Sequence, residues 1–408
     1  MHRLLVLVVA ATLLSTAGVQ AAPAQTSADV ATADNAFGFR LLNAVQNAAR
    51  DGNVVLSPVS AALNLSMVLS GADGKTSQEM LSALSLTGLG PTAINEANAN
   101  LIKVIRTPAR NVALSVADSL WVDSAHASLR PDYIKETHEG YDAEVSDLDF
   151  SNPSAVSRIN DWASKETQGR ISRIIDQIDP VDRLLLVNAV YFKGQWAQQF
   201  NKALTQQRDF TLADGSVKQV PRMVQSGNFG YFETPQMQAI RLPFGDGDLV
   251  MDILLPAQSS SLDALAADLT VEHWKEWQAH YASRSGTIEL PRFELKSTYQ
   301  LNKPLQALGM KRAFQANAEL TRMFSVSPSK SGGGHFFISS VLQSTFWKVD
   351  EEGAEAAAVT STHIHSLAFR RPAEEPFHMI VDRAFFCAIE DRRSGVLLFI
   401  GAIRDPRA

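Results

Sequence analysis

Two spacings of apolar residues interleave along most of the chain, one near 3.6 and one near 2. The helical spacing puts Phe37, Leu41, Leu42 and Val45 on one face, with Asp34 placed to cap their helix. Ser57-Pro58 predicts a second start, Ser as N-cap and Pro at the first helical position. That helix runs through Leu63, Met67 and Val68, and Gly71 ends it. Thr76 and Glu79 read as a capping box. Val156, Ile159 and Trp162 mark a helix over 153–167, and 271–281 is amphipathic. Strands are predicted over 112–122, 336–349, 377–389 and 396–403. The run 184–192 is apolar without alternation, as a strand buried on both faces would be. No Pro/Ser-rich linker, repeat or block of charge interrupts this pattern. The expectation is therefore one α+β domain over residues 34–408, although 408 residues would suit two or three domains at about 150 residues each.

The first 33 residues read differently. Arg3 precedes a nearly unbroken apolar run from Leu4 to Leu14, and Val19-Gln20-Ala21 fits a signal-peptidase site. Residues 1–21 are read as a cleaved signal peptide, and the run is short for a retained membrane anchor. Residues 22–33 are small and polar and read as a flexible lead. Localisation is then secreted, extracellular or periplasmic.

Composition narrows the function classes. Hydrophobic residues make up 45% and charged residues 20%, ordinary for a globular chain. With 37 basic against 43 acidic side chains the net charge is −6, which does not suit a nucleic-acid binder. The one cysteine, Cys387, lies in the apolar stretch 385–389 and reads as a core thiol, so no intrachain disulfide is available. No Gly-x-Ser-x-Gly elbow, phosphate-binding loop or His-Glu-x-x-His motif occurs, and no enzyme is expected. Gly332-Gly333-Gly334 reads as a loop tip, His363 and His365 as a strand-face pair without further ligands, and Asp246/Asp248 as a turn. No metal or cofactor is expected.

Residues 350–362 stand apart. Ala and Glu favour a helix there. With period two, however, Ala354, Ala356, Ala358, Thr360, Thr362 and Ile364 form a small uncharged face, while Glu355, His363 and His365 fall on the other. A solvated helix and a loop able to enter a sheet fit the pattern equally well.

Longer motifs bring in a family. Glu351-Glu352-Gly353-Ala354-Glu355-Ala356-Ala357-Ala358 resembles the reactive-loop hinge of the serpins. The stretch 53–60 resembles the helix under their central sheet, and 186–196 the strand leading to the breach at the top of that sheet. Ile159-Asn160-Asp161-Trp162, Leu290-Pro291-Arg292-Phe293, Pro376-Phe377 and Leu398-Phe399-Ile400-Gly401 also fit, in family order, over roughly residues 34–405.

The resemblance implies the serpin fold: three β-sheets, eight or nine helices and an exposed reactive-centre loop. It implies a suicide substrate for serine proteases, trapped as an acyl-enzyme while the cut loop inserts into the central sheet. A cysteine protease is the second class of partner; nucleic acid and membrane are not expected, and a monomer is. Counting from Gly353 places the scissile bond at Leu367-Ala368, which suits chymotrypsin-, elastase- or subtilisin-like proteases. The register is open by one or two residues; Phe369 in that position would keep a chymotrypsin-like target and Arg370 would switch it to trypsin-like. In the shutter, where the sheet must part, Ser57, Ser60 and Asn188 match the family's hydrogen-bonding cluster, and Gln343 stands where a histidine is common. Gln343 cannot titrate, so no pH-dependent opening is expected through it. Trp196 is the breach residue. The alternative is a non-inhibitory serpin acting as a binding, carrier or chaperone protein, which usually has a bulky or charged hinge.

Overall fold

A computed structural model describes residues 23–48, 52–107, 109–325, 336–353 and 375–407. These hold nine α-helices: α1 (Pro23–Ala48), α2 (Pro58–Gly71), α3 (Gly74–Ala83), α4 (Pro91–Arg106), α5 (Pro131–Tyr141), α6 (Ser154–Glu166), α7 (Leu262–Ala267), α8 (Val271–His280) and α9 (Asn302–Ala307). The strands are β1 (Val54–Leu56), β2 (Val112–Asp123), β3 (Glu144–Leu148), β4 (Leu184–Gly194), β5 (Gln206–Thr211), β6 (Val217–Glu233) and β7 (Met237–Phe244), followed by β8 (Leu249–Pro256), β9 (Ala282–Pro291), β10 (Phe293–Gln300), β11 (Ser340–Val349), β12 (Phe377–Ile380), β13 (Phe385–Asp391) and β14 (Val396–Ile403).

Five strands form one sheet in the order β10-β11-β4-β2-β3. Nine form the other, along β1-β14-β13-β8-β7-β6-β9-β12 with β5 also on β6. The long β6 pairs with different neighbours along its length. Gly230–Glu233 pair with β7, while Arg222–Tyr231 pair with β9. Hydrogen bonding thus joins the nine strands into one sheet through β6.

Burial explains why the elements form where they do. Every residue of β4 but Lys193 and every residue of β14 is buried, which accounts for their uninterrupted apolar runs. β4 sends Leu184, Leu186, Val190 and Phe192 into the main core. Its alternate residues Leu185, Val187, Ala189 and Tyr191 pack with Ile159 and Ala163 of α6 on the opposite face. Helix α2 is buried on nearly all sides because it lies between sheets, touching β2 and β4 on one side and β14 on the other. Cys387 is buried, and that burial pushes its thiol well above the usual range, away from thiolate chemistry.

Four local expectations need correction. The stretch 22–33 is not a flexible lead: from Pro23 on it is the start of α1, with Val30, Ala31 and Ala33 buried. Asp34 therefore sits inside a helix rather than capping one. Its Oδ2 has no hydrogen-bond partner, and burial pushes the carboxyl well above the usual carboxylate range. Thr76 and Glu79 do not cap their own helix. Thr76 Oγ1 accepts from Glu319 N (2.9 Å), and Glu79 Oε2 accepts from the amides of Lys311 (2.9 Å) and Arg312 (2.6 Å). The run 377–389 divides into β12 and β13, which lie far apart in the sheet order.

The predicted turn at 245–248 holds, with φ of 53° at Gly245 and 94° at Gly247. The 332–334 glycines, His363 and His365 lie outside the described residues, as does the signal segment 1–21. Among the described residues no helix is long and apolar enough to cross a membrane.

The first turns of α1 carry a test. Val30→Asp puts an unpaired charge where Val30 is fully buried, and should cost roughly 3 kcal/mol or more. A urea midpoint equal to that of the unchanged protein would show that these turns do not dock.

Candidate functional site in the five-stranded sheet

The strands β4 and β11 run parallel, in register from Leu185 opposite Ser340 to Phe192 opposite Trp347. Their outer neighbours β2 and β10 are antiparallel to them. Parallel pairing is slightly weaker per residue, so this seam is the weakest line in the centre of the sheet.

Beneath the seam the apolar face is broken by a row of polar side chains. Strand parity puts Asp118 in line with Leu120 and Val122, Asn188 with Leu186 and Val190, and Gln343 with Val341 and Trp347, all facing the main core. Register places Asp118 opposite Asn188, Asn188 opposite Gln343, and Gln343 opposite Tyr299. Four polar residues therefore cross β2, β4, β11 and β10 at one level.

The row is hydrogen-bonded to the N-terminal part of α2. Gln343 Nε2 donates to Asn188 Oδ1 across the seam (2.7 Å) and to Ser57 O (2.9 Å), and its Oε1 accepts from Ser57 N (2.9 Å). Asn188 Nδ2 donates to Asp118 Oδ1 (2.6 Å) and to Ser60 Oγ. Asn64 Nδ2 also donates to Asp118 Oδ1, at 3.2 Å. Tyr299 donates its hydroxyl to Asn53 O (2.9 Å). Ser57 enters through its backbone only. Its side chain makes no cap bond and its Oγ has no partner, so the expectation of a side-chain N-cap fails.

Asp118 is the group that sequence reading missed. Burial raises its carboxyl to about 7, against the opposing hydrogen bonds from Asn64 and Asn188, the charge of Arg106 and the Ser60 hydroxyl. The available signal was parity: in 112–122 an acidic residue falls on the face that carries Leu120 and Val122.

At the top of the sheet the segment 350–353 is held by backbone. Trp196 N donates to Glu352 O (3.2 Å), Phe200 N to Glu351 O (2.9 Å) and Trp196 Nε1 to Asp350 O (2.8 Å). The Trp196 ring stacks on Phe244 at 4.3 Å. Glu351 is buried, accepts from Thr205 Oγ1 (2.7 Å) and pairs with Arg292 at 3.6 Å. Glu352 pairs with Lys202. Gly353 has φ of 75°, and a Cβ there would overlap the backbone of Gly194 and Trp196. The glycine is thus required by close approach as well as by conformational freedom. A cavity of about 720 Å³ opens beside this clamp, lined by Tyr191, Lys193, Arg292, Phe346 and Lys348 among others.

The structure thus brings together Ser57, Ser60, Asn188 and Gln343 at the middle of the seam, and Trp196, Glu351, Glu352 and Gly353 at its end. Ala354, Glu355, Ala356, Ala357, Ala358, Leu367 and Ala368 lie outside the described residues. Thr205 and Lys202 went unnoticed in the sequence, and Arg292 was read only as part of a motif, because only the fold brings them to Glu351 and Glu352. Among the described residues no group of three or more His, Cys, Asp or Glu side chains is placed to hold a metal.

The buried carboxyl has a consequence for stability. Unfolded, Asp118 titrates near 3.8; folded, near 7. The folded protein therefore holds this proton more tightly, and stability falls as pH rises from about 4 to about 7. Above that range the cost is on the order of 4 kcal/mol. Asp118→Asn should raise the urea midpoint at about pH 8 and leave it unchanged near pH 4, because only the ionised form carries the cost. A lower midpoint at the higher pH would show that the carboxylate is stabilising instead.

Residues 32–406 match the family described as serpin (serine protease inhibitor). The leukocyte elastase inhibitor of Sus scrofa is 32% identical over 92% of this chain and 99% of its own length. The native-state structure of the thermophilic serpin tengpin superposes with a TM-score of 0.82 at 27% identity, over 92% of this chain and 94% of that one. Human thyroxine-binding globulin superposes with a TM-score of 0.83, over 94% of this chain and 100% of that one; at 23% identity this is a likeness of fold. With nearly the whole chain matched, and with the polar row and the backbone clamp lying in the strands that carry the motifs, the chain belongs to the serpin family.

Proposed function

We propose that the protein inhibits serine proteases as a suicide substrate. The observation that carries this reading is the hinge: Ala354, Ala356 and Ala358 are small and uncharged on one face, and they follow directly on the clamped Gly353. A charge on that face would be buried unpaired at a cost of several kcal/mol. Small side chains therefore keep the barrier to entry low, and entry must outrun hydrolysis of the acyl-enzyme. Similarity to the leukocyte elastase inhibitor supports the same reading.

The proposed course follows from the topology. The target protease acylates its nucleophile on the bond Leu367-Ala368, and the segment from Ala354 to Leu367 is freed at one end. It leaves β11 at that strand's C-terminal end, so on turning back it runs antiparallel to β11 and to β4. One parallel ladder is exchanged for two antiparallel ones, which raises both the number and the quality of the hydrogen bonds. A strand of about 14 residues at roughly 3.3 Å each spans about 45 Å. Carrying the acylated nucleophile that far distorts the protease's oxyanion hole and stalls deacylation. Leu367 suits a chymotrypsin-, elastase- or subtilisin-like primary pocket. Residues 1–21 support action outside the cytoplasm.

The test is incubation with chymotrypsin, elastase, subtilisin and trypsin, read by denaturing gel and intact mass. An SDS-stable adduct and a released peptide beginning at Ala368 are expected, and Ala354→Arg should be cleaved without accumulating adduct. Equal adduct from that variant would sink the insertion mechanism. Cleavage of the unchanged protein without adduct by every protease would favour the carrier or chaperone reading. Leu367→Arg should move the preference to trypsin by tenfold or more; an unmoved profile would place the scissile bond elsewhere.

A further inference from the structure

We propose that Asp118 gates the parting of β4 from β11: its neutral form holds the sheet shut and its ionised form eases opening. This rests on the insertion reading above but needs no protease.

The geometry places Asp118 one side chain from the seam. The side chain that joins it to Gln343 on the far strand is Asn188, whose Nδ2 meets Asp118 Oδ1 at 2.6 Å and whose Oδ1 receives Gln343 Nε2 at 2.7 Å. Parting the strands breaks the second of these bonds and opens the row to water. The groups facing Asp118 offer its charge little compensation. From β4 comes the neutral Asn188, and from α2 the neutral Ser60 and Asn64. The end of α4 supplies Arg106, whose guanidinium is partly exposed and already paired with Asp142. From α5 comes Tyr141, whose phenol is pushed up by burial, with the buried Asp34 of α1 also acting on it. A void of about 10 Å³ lies between Asp118, Arg106 and Tyr141. Desolvation is thus the dominant effect on the carboxylate, and the closed sheet is the state that imposes it. Water entering through the parted seam relieves that cost for the ionised form and gives the neutral form little. Ionised Asp118 therefore favours opening. Asp118 makes the row proton-sensitive although Gln343 itself cannot titrate.

The experiment follows annealing of a synthetic peptide with the sequence of residues 354–367 into the unchanged protein, by native gel, from about pH 5.5 to about pH 8.5, a range spanning the folded midpoint near 7. The rate should rise with pH through about 7, by about tenfold for each pH unit that hydration lowers the carboxyl's midpoint. Asp118→Asn should anneal at the slow rate throughout. A second variant guards against misfolding of the first. Arg106→Gln lies at a partly exposed position and removes the one positive charge that favours ionisation, so its rate profile should move to higher pH. A flat or falling profile in the unchanged protein overturns the gate. So does a profile retained in Asp118→Asn, or an unmoved one in Arg106→Gln. Absence of annealing at every pH overturns the insertion reading and the gate with it, whereas annealing without protease adducts leaves the gate standing and removes only the inhibitor.

Discussion

The structure depends on a row of hydrogen-bonded polar side chains laid across the inner face of its central sheet. A core face normally carries apolar residues that pack without direction. Here Asp118, Asn188, Gln343 and Tyr299 occupy one level of four adjacent strands, and each must find partners because water is excluded. Helix α2 supplies them through the backbone of Ser57 and the side chains of Ser60 and Asn64. An apolar contact would weaken gradually as strands slid past one another. A hydrogen-bonded one is lost within a fraction of an ångström. The closed sheet is therefore held in one register by directional bonds, at the seam in its centre where the backbone pairing is parallel.

The clamp at the top of the sheet complements this row. Three successive carbonyls, those of Asp350, Glu351 and Glu352, are received by the segment from Trp196 to Phe200. The side chains beyond them pair with Thr205, Arg292 and Lys202. The row lies at the middle of the seam, and the clamp closes its end beside the cavity.

Much of this was legible in the sequence. The apolar run of β4 and the alternation of β2 predict strands, and the residues singled out by motif resemblance, Ser60, Asn188, Gln343, Trp196 and Gly353, lie along or at the end of the seam. The failures have physical causes. Residues 22–33 look like a lead because they are small and polar, yet Ala is the best helix former and Val30, Ala31 and Ala33 are buried against the core. The break between β12 and β13 is marked by no Gly or Pro, only by the charged pair Asp382-Arg383. Asp118 was hidden because reading a strand gives two faces but not which one meets the core. Arg292 and Thr205 were hidden because nothing local relates them to Glu351.

The pinning of Gly353 has a further consequence for how the following segment can vary. A glycine wedged against the backbone of Gly194 and Trp196 acts as the zero mark of a ruler laid along the chain. If the segment enters the sheet as proposed, its side chains alternate, so adding or deleting one residue after that mark turns every later side chain to the opposite face. Changes of two residues preserve the faces and alter only the reach. Divergence of this segment is thus quantised: its length can drift by even steps near the zero mark, while its composition beyond the first few positions is left free to follow whatever cleft it has to fit.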